Sequence, residues 1–250
     1  MINIKTESEL DRIRESGRVL LEAFRTVNAM IRPGISTGEL DEAAEQVIRS
    51  HGGEPAFKGY QGYPATICAS INEQVVHGIP GSRALEEGDI IGIDMGVVLD
   101  DFYSDATRTY PVGEISEEAK RLIRVTAESL DKGIEQVVPG NHLSDISHAI
   151  QKHAESHGYS VVRALVGHGI GRRMHEEPQI PNFGAPGKGP VLRSGMVLAI
   201  EPMVNVGTWE VLTLKDKWTF VTVDGELSCH FEDTVAVTDD GPEILTRRPD

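Results

Sequence analysis

Two aspartates pose the first chemical question. In GDIIGIDMGVVLDDFYSDATRTY, residues 88–110, Asp94 and Asp105 sit in runs that are otherwise apolar or β-branched. These runs read as two strands joined at the acidic Leu99-Asp100-Asp101. Opposed residues of a hairpin have a constant sum of numbers. A Leu99-Asp100 turn gives 199 and makes Asp94 and Asp105 direct cross-strand neighbours. An Asp100-Asp101 turn gives 201 and sets them diagonally on the same face. Neither dipeptide is a strong hairpin signal, so the turn stays open. Direct neighbours, with Cβ atoms roughly 4.5–5.5 Å apart, would repel by on the order of 3 kcal/mol at an effective dielectric of about 20. A shared proton or a bridging cation would offset that cost; a solvent-facing pair would need neither.

The elements that must carry these residues recur along the chain. Thr6-x-x-Glu9 and Ser36-x-x-Glu39 are capping boxes. Behind the first, Leu10, Ile13, Leu20, Leu21, Phe24, Val27 and Ile31 keep helical spacing up to Pro33-Gly34. Behind the second, Leu40, Ala43, Ala44, Val47 and Ile48 share a face that stops at His51-Gly52. Adding 106 turns Pro33-Gly34 into Pro139-Gly140 and Ser50-His51-Gly52 into Ser156-His157-Gly158. The same offset gives a second apolar face of Ile146, Ala149, Ile150, His153 and Ala154. Gly88-x-x-x-x-Ile93-Asp94 is echoed by Gly195-x-x-x-x-Ile200-Glu201, and Asp105-Ala106-Thr107 by Glu232-Asp233-Thr234. The expected fold class is α+β, a single domain of two homologous halves, about 1–113 and 114–250, each with long helices followed by antiparallel strands. Strands are expected at 196–204, 210–214, 218–223 and 227–237, and a long Pro/Gly-rich loop at 176–190.

If a pseudo-two-fold relates the halves, Glu201 and Glu232 stand where Asp94 and Asp105 do. Four converging carboxylates carry −4, which two divalent cations cancel. One histidine would complete the coordination, and VGHGIGRRMHEEP offers two candidates, His168 and His175. Carboxylate-rich sites with few nitrogens suit manganese, iron or cobalt, with zinc also open. Two metals together activate water and clamp a reacting carbonyl or phosphoryl group.

Composition narrows the classes. The chain has 250 residues, 39% hydrophobic and 25% charged, as ordinary globular proteins do. A net charge of −15 argues against a nucleic-acid backbone as the principal partner. No apolar run approaches the roughly 18–20 residues that span a bilayer. The charged N-terminus lacks a signal-peptide core, and two cysteines, Cys68 and Cys229, imply no disulfide framework. A cytosolic protein without membrane contact is expected.

In order along the chain stand HGIP (77–80), the Asp94/Asp105 pair, GHGIGRRMHEEP (167–178), IEP (200–202) and Glu232. Together they resemble a type I methionine aminopeptidase of the short form, from about residue 3 to residue 247. HGIP or GHGIG alone would say little; the ordered set is specific. The resemblance implies the duplicated "pita-bread" fold and removal of the initiator methionine from nascent proteins with a small second residue. It implies two divalent ions (Co, Mn, Fe or Zn) held by Asp94, Asp105, His168, Glu201 and Glu232, with Asp105 and Glu232 bridging. It further implies that a metal-bridged water attacks the scissile carbonyl, with Glu201 as proton acceptor, His175 stabilising the oxyanion and His77 on the substrate backbone. The methionine pocket would be lined by Phe57, Tyr60, Tyr63, Cys68, Met174 and Trp218. A monomer in transient contact with the ribosome would follow from the role.

Two residues depart from the family's habit: Met174 where Phe is common, and Asp233 where His is common, the latter adding a carboxylate expected to bear on metal affinity. Two other functions share these features. Proline-directed peptidases have the same fold and ligand types but usually a large N-terminal domain, for which 250 residues leave no room. Scaffold proteins of this fold lose ligands, whereas all five are present here.

Overall fold

The structure, a computed structural model, describes residues 2–247. Helix α1 (Glu7–Met30) begins at the expected capping box, with the Thr6 N–H donating to Glu9 Oε2 at 2.9 Å. Helix α2 (Thr37–Ser50) does the same at Ser36 and Glu39. Helix α3 spans Glu117–Ile134 and α4 spans Leu143–Ser156, the latter capped by His142 N–H to Asp145 Oδ2 at 2.8 Å. Helices α2 and α4 end alike. Gly52 and Gly158 follow at φ 79° and 85°, a left-handed conformation that costs a glycine nothing.

In the first half, strands β1 (Glu54–Pro55), β2 (Ile67–Ile71), β3 (Gln74–Val76), β4 (Ile90–Leu99) and β5 (Phe102–Pro111) precede α3. In the second, β6 (Ser160–Val161), β7 (Val166–Gly169), β8 (Glu176–Pro181), β9 (Val197–Ile200), β10 (Met203–Asn205), β11 (Val211–Thr213), β12 (Phe220–Thr222), β13 (Ser228–His230), β14 (Asp233–Thr238) and β15 (Gly241–Ile244) follow α4. One sheet has the order β1-β4-β2 with β5 on β4, another the order β15-β14-β9-β7-β8. Two smaller sheets, β13-β10-β6 and β11-β12-β3, complete the set. The pairings are antiparallel. Each helix pair closes its own core. Leu20, Phe24, Leu40 and Ile48 pack on Ile67, Ile93 and Met95, whereas Leu122, Leu130, Ile146 and Ile150 pack on Leu198, Ile200 and Val235. Burying such side chains is worth about 1.5–3 kcal/mol each.

The cores meet along β5. Thr107 and Glu232 form an antiparallel bridge, the Glu232 N–H donating to Thr107 O at 3.0 Å. Beside it, Thr234 Oγ1 donates to Asp105 O at 2.8 Å.

Three expectations are resolved or corrected. The β4–β5 turn is Asp100-Asp101, at φ 48° and 66°, so Asp94 opposes Thr107 and Asp105 opposes Gly96. The aspartates are therefore diagonal, on one face, and the direct-neighbour repulsion does not apply. The strands expected at 196–204 and 227–237 are each broken. Pro202 lacks the N–H that a continuous ladder needs, and Glu232 leaves the β14 ladder to pair with Thr107. The loop expected at 176–190 begins as strand β8, a sheet edge, where prolines are tolerated.

Candidate metal centre and substrate cavity

Strand alternation aims the acids. Asp94 and Asp105 leave β4 and β5 on the same face, and the Thr107 bridge brings Glu232 beside them. Glu201 stands at the β9 break, its carbonyl held by Asn182 Nδ2 at 3.0 Å. His168 lies on β7, its Nδ1 3.0 Å from the Gly169 carbonyl, which leaves Nε2 facing the acids. These five residues line one cavity of about 360 Å³ with Phe57, Tyr60, Tyr63, Cys68, His77, Met174, His175 and Trp218. All thirteen residues expected from the sequence thus share a single space, and Gln61 lines it as well.

The donor set fits divalent cations. Asp94 Oδ1, Asp105 Oδ1 and Glu232 Oε1 are buried without a hydrogen-bond partner among the described residues. His168 Nε2 stands 3.8 Å from Asp105 Oδ2 and 3.7 Å from Glu201 Oε1, beyond hydrogen-bond reach. Two donors that share an ion at about 2.1 Å each can be as much as about 4.2 Å apart, so these spacings suit a common ion. Burial, together with repulsion among the acids, pushes the Asp105, Glu201 and Glu232 carboxyls well above their ordinary range. Burial takes Asp94 up to about 7 and His168 down to about 3. Each shift opposes charge on the group, and a bound cation reverses that balance for the carboxylates.

The wall opposite is apolar. Tyr63 and Trp218 meet edge to face with ring centroids 5.1 Å apart, and Tyr63 OH donates to the Gly78 and Ile67 carbonyls. Met174, Phe57 and Cys68 are buried in the same cluster. Burial, together with the negative charge of Asp94, pushes the Cys68 thiol up, which leaves it neutral and unreactive. His77, at φ 59°, faces Trp218 and Phe220, and burial lowers it to about 4. His175 is exposed at the mouth, its Nδ1 2.8 Å from Tyr60 OH.

Three residues in this neighbourhood were not among the site residues expected from the sequence. His230 is buried, its Nε2 without a hydrogen-bond partner among the described residues and 3.6 Å from Glu201 Oε2. Thr107 Oγ1 donates to Glu232 Oε2 at 2.9 Å. Each lies two positions from a candidate ligand, and the period-two rule of a strand could have found both. Glu176, third, holds the segment bearing Met174 and His175. It accepts from Lys5 Nζ at 2.8 Å, Asn3 Nδ2 at 2.9 Å and the Arg172 N–H at 2.9 Å. Asp233, conversely, does not face the acids. Its carboxylate accepts from Arg108 Nη2 at 2.5 Å and Thr246 Oγ1 at 2.9 Å, although its negative charge still helps to push the neighbouring Glu232 carboxyl up.

The model of metallopeptidase family M24 matches residues 11–239. The chain belongs to this family. Within it, a methionine aminopeptidase from Clostridium perfringens is 56% identical over 98% of this chain and 99% of its own length. Methionine aminopeptidase 1 from Bacillus subtilis is 54% identical, covering 99% of this chain and 100% of its own. The crystal structure of the Rickettsia prowazekii methionine aminopeptidase superposes with a TM-score of 0.98, at 44% identity over 99% of this chain and 100% of that one. Prolidase from Pyrococcus furiosus shares the fold alone, with a TM-score of 0.81 at 24% identity over 99% of this chain and 66% of its own. This M24 metallopeptidase is accordingly a hydrolase of the pita-bread fold, with metal-binding carboxylates and a histidine gathered in its cavity.

Proposed function

We propose that this chain removes the N-terminal methionine from new proteins whose second residue is small. One observation carries the reading: five metal-binding side chains face an aromatic and thioether-lined slot in a single cavity of about 360 Å³, in a chain 56% identical to a methionine aminopeptidase. A thioether seated among Phe57, Tyr60, Tyr63, Cys68, Met174 and Trp218 gains dispersion and sulfur–aromatic contact.

Asp94, Asp105, His168, Glu201 and Glu232 would hold two divalent ions, cobalt, manganese, iron or zinc. Bound there, such ions lower the pKa of a water and polarise the scissile carbonyl. Glu201, half-buried with one oxygen toward His168, takes the proton of the attacking water and returns it to the leaving amine. In the tautomer that donates from Nε2–H to the developing oxyanion, His175 Nδ1 accepts from Tyr60 OH, 2.8 Å away. His77, kept neutral by burial, hydrogen-bonds the substrate backbone at the scissile amide. Ligands come from both halves, so residues 1–250 act as one catalytic domain with halves of about 1–113 and 114–250. Nascent chains as substrates carry with them a cytoplasmic monomer in transient contact with the ribosome.

Chelator-treated protein, with divalent metals returned singly, tests the reading on Met-Ala-Ser and X-Pro peptides. Metal-dependent cleavage of Met-Ala-Ser alone supports it. Cleavage of X-Pro peptides with Met-Ala-Ser intact makes the chain a prolidase-type enzyme. No turnover with any metal makes it a scaffold.

A further inference from the structure

On the far side of the second core, three side chains unrelated to the cavity converge. His153 lies in the last turn of α4 and His157 caps its C-terminus, with ring centroids 4.5 Å apart, and α3 presents Glu128 to them. His153 Nε2 is 3.0 Å from Glu128 Oε2. One donor atom from each of the three lies within 4.8 Å of the others, and all three residues are half-buried. We propose that Glu128, His153 and His157 form a second, separate metal site that binds zinc or a similar borderline divalent cation.

The donors are already oriented. His157 Nδ1 is 2.8 Å from the His153 carbonyl. A carbonyl only accepts, so Nδ1 carries the proton there and Nε2 keeps its lone pair. Metal-binding imidazoles habitually donate their other N–H to a carbonyl in this way. His153 Nε2 faces a carboxylate oxygen, an acceptor, and so carries its ring's proton in the metal-free protein. A cation takes the place of that proton between His153 and Glu128. The proton moves by way of solvent to Nδ1 of the same ring, which stays a neutral imidazole with its Nε2 lone pair free for the cation, and no electrons move. Two imidazoles and a carboxylate match zinc, nickel or copper better than magnesium or calcium, and leave one coordination position to water. Nearby cations do not block the donors. Arg124 Nε sits 3.8 Å from the other Glu128 oxygen, Oε1, and Arg121 Nη2 donates to the His157 carbonyl.

The internal repeat supplies a control. Subtracting 106 from Glu128, His153 and His157 gives Glu22, Val47 and His51. His51 Nδ1 contacts the Val47 carbonyl at 3.0 Å, so both halves use this histidine to close a helix. Helix closure therefore accounts for His157 but not for His153, whose counterpart is a valine. Glu22 instead pairs with Arg25. The additional imidazole is what turns a capping residue into a chelate.

Zinc binding to the full chain and to His153→Val, which copies the first half's residue, tests the proposal. By equilibrium dialysis the variant should bind about one equivalent fewer, with unchanged turnover of Met-Ala-Ser. Zinc should also raise the Tm of the unaltered chain more than that of the variant, because the ligands clip α3 to α4. Equal zinc stoichiometry in the two proteins would overturn the site. Should His153→Val fail to fold, anomalous diffraction at the zinc edge from crystals of the unaltered chain decides. A peak between these three side chains supports the site, and its absence there refutes it.

Discussion

Glu201 holds the most exacting position of any residue, between a ligand's role and a proton carrier's. Glu201→Gln should fold normally by circular dichroism and lose about 10²–10⁴-fold in kcat with little change in KM, because the interaction lost belongs to the transition state. Unchanged kcat would remove it from the chemistry. Asp233 stands one position along from Glu232 yet does different work, since alternation sends it to Arg108 behind the strand. Asp233→Asn should lower the unfolding midpoint in urea, since removing one partner of a buried pair leaves the other uncompensated. The ligand candidates were legible in the sequence because acids in apolar strands are costly without a partner. His230 and Thr107 were not, since a lone histidine or threonine in a strand looks like ordinary packing until its neighbours two positions away are known to face a charged cavity.

Among the elements, the segment between β7 and β8 is fixed from outside the cavity. Glu176 follows His175 directly, and its carboxylate is buried with Lys5 Nζ at 2.8 Å, their side chains 2% and 5% exposed. Burial alone would raise this carboxyl; the Lys5 ammonium and Asn3 amide outweigh it and hold the group below the usual range. The N-terminal segment thus locks the residues that would cradle methionine and stabilise the oxyanion. Glu176→Gln should cost about 3–5 kcal/mol, as one-sided loss of a buried pair does, and raise KM for Met-Ala-Ser. Since the folded carboxyl is depressed, its contribution is complete above the unfolded value of about 4.3 and fades as pH falls through the folded one. The variant should lack that acid-side loss in a pH series of thermal melts. Helix starts and stops were readable from capping boxes and glycines. The strand breaks at Pro202 and Glu232 were not, because what ends each ladder is a partner from elsewhere in the chain. The β4–β5 turn escaped for a related reason: two aspartates in left-handed conformation carry a weaker signal than Asn-Gly.

The molecule as a whole, at net charge −15, places four carboxylates at the junction of its two cores. In the metal-free protein these groups are raised above their unfolded values, Asp94 to about 7. The folded state then binds more protons than the unfolded, so stability from these groups is full at acidic pH and falls as pH rises through the folded values. Calorimetry should therefore show the Tm of metal-stripped protein dropping between about pH 5.5 and 8, and divalent metal removing most of that drop. The duplication explains why one site could be expected at all: each half contributes an acidic strand pair, and neither half alone collects enough donors. The most direct test of that joint centre is a manganese titration of stripped protein by calorimetry, comparing the unaltered chain with Asp105→Asn from the first half and Glu232→Gln from the second. About two equivalents with proton release in the unaltered chain, and loss of tight binding in both variants, is the predicted result; tight binding that survives either substitution would contradict a centre shared between the halves.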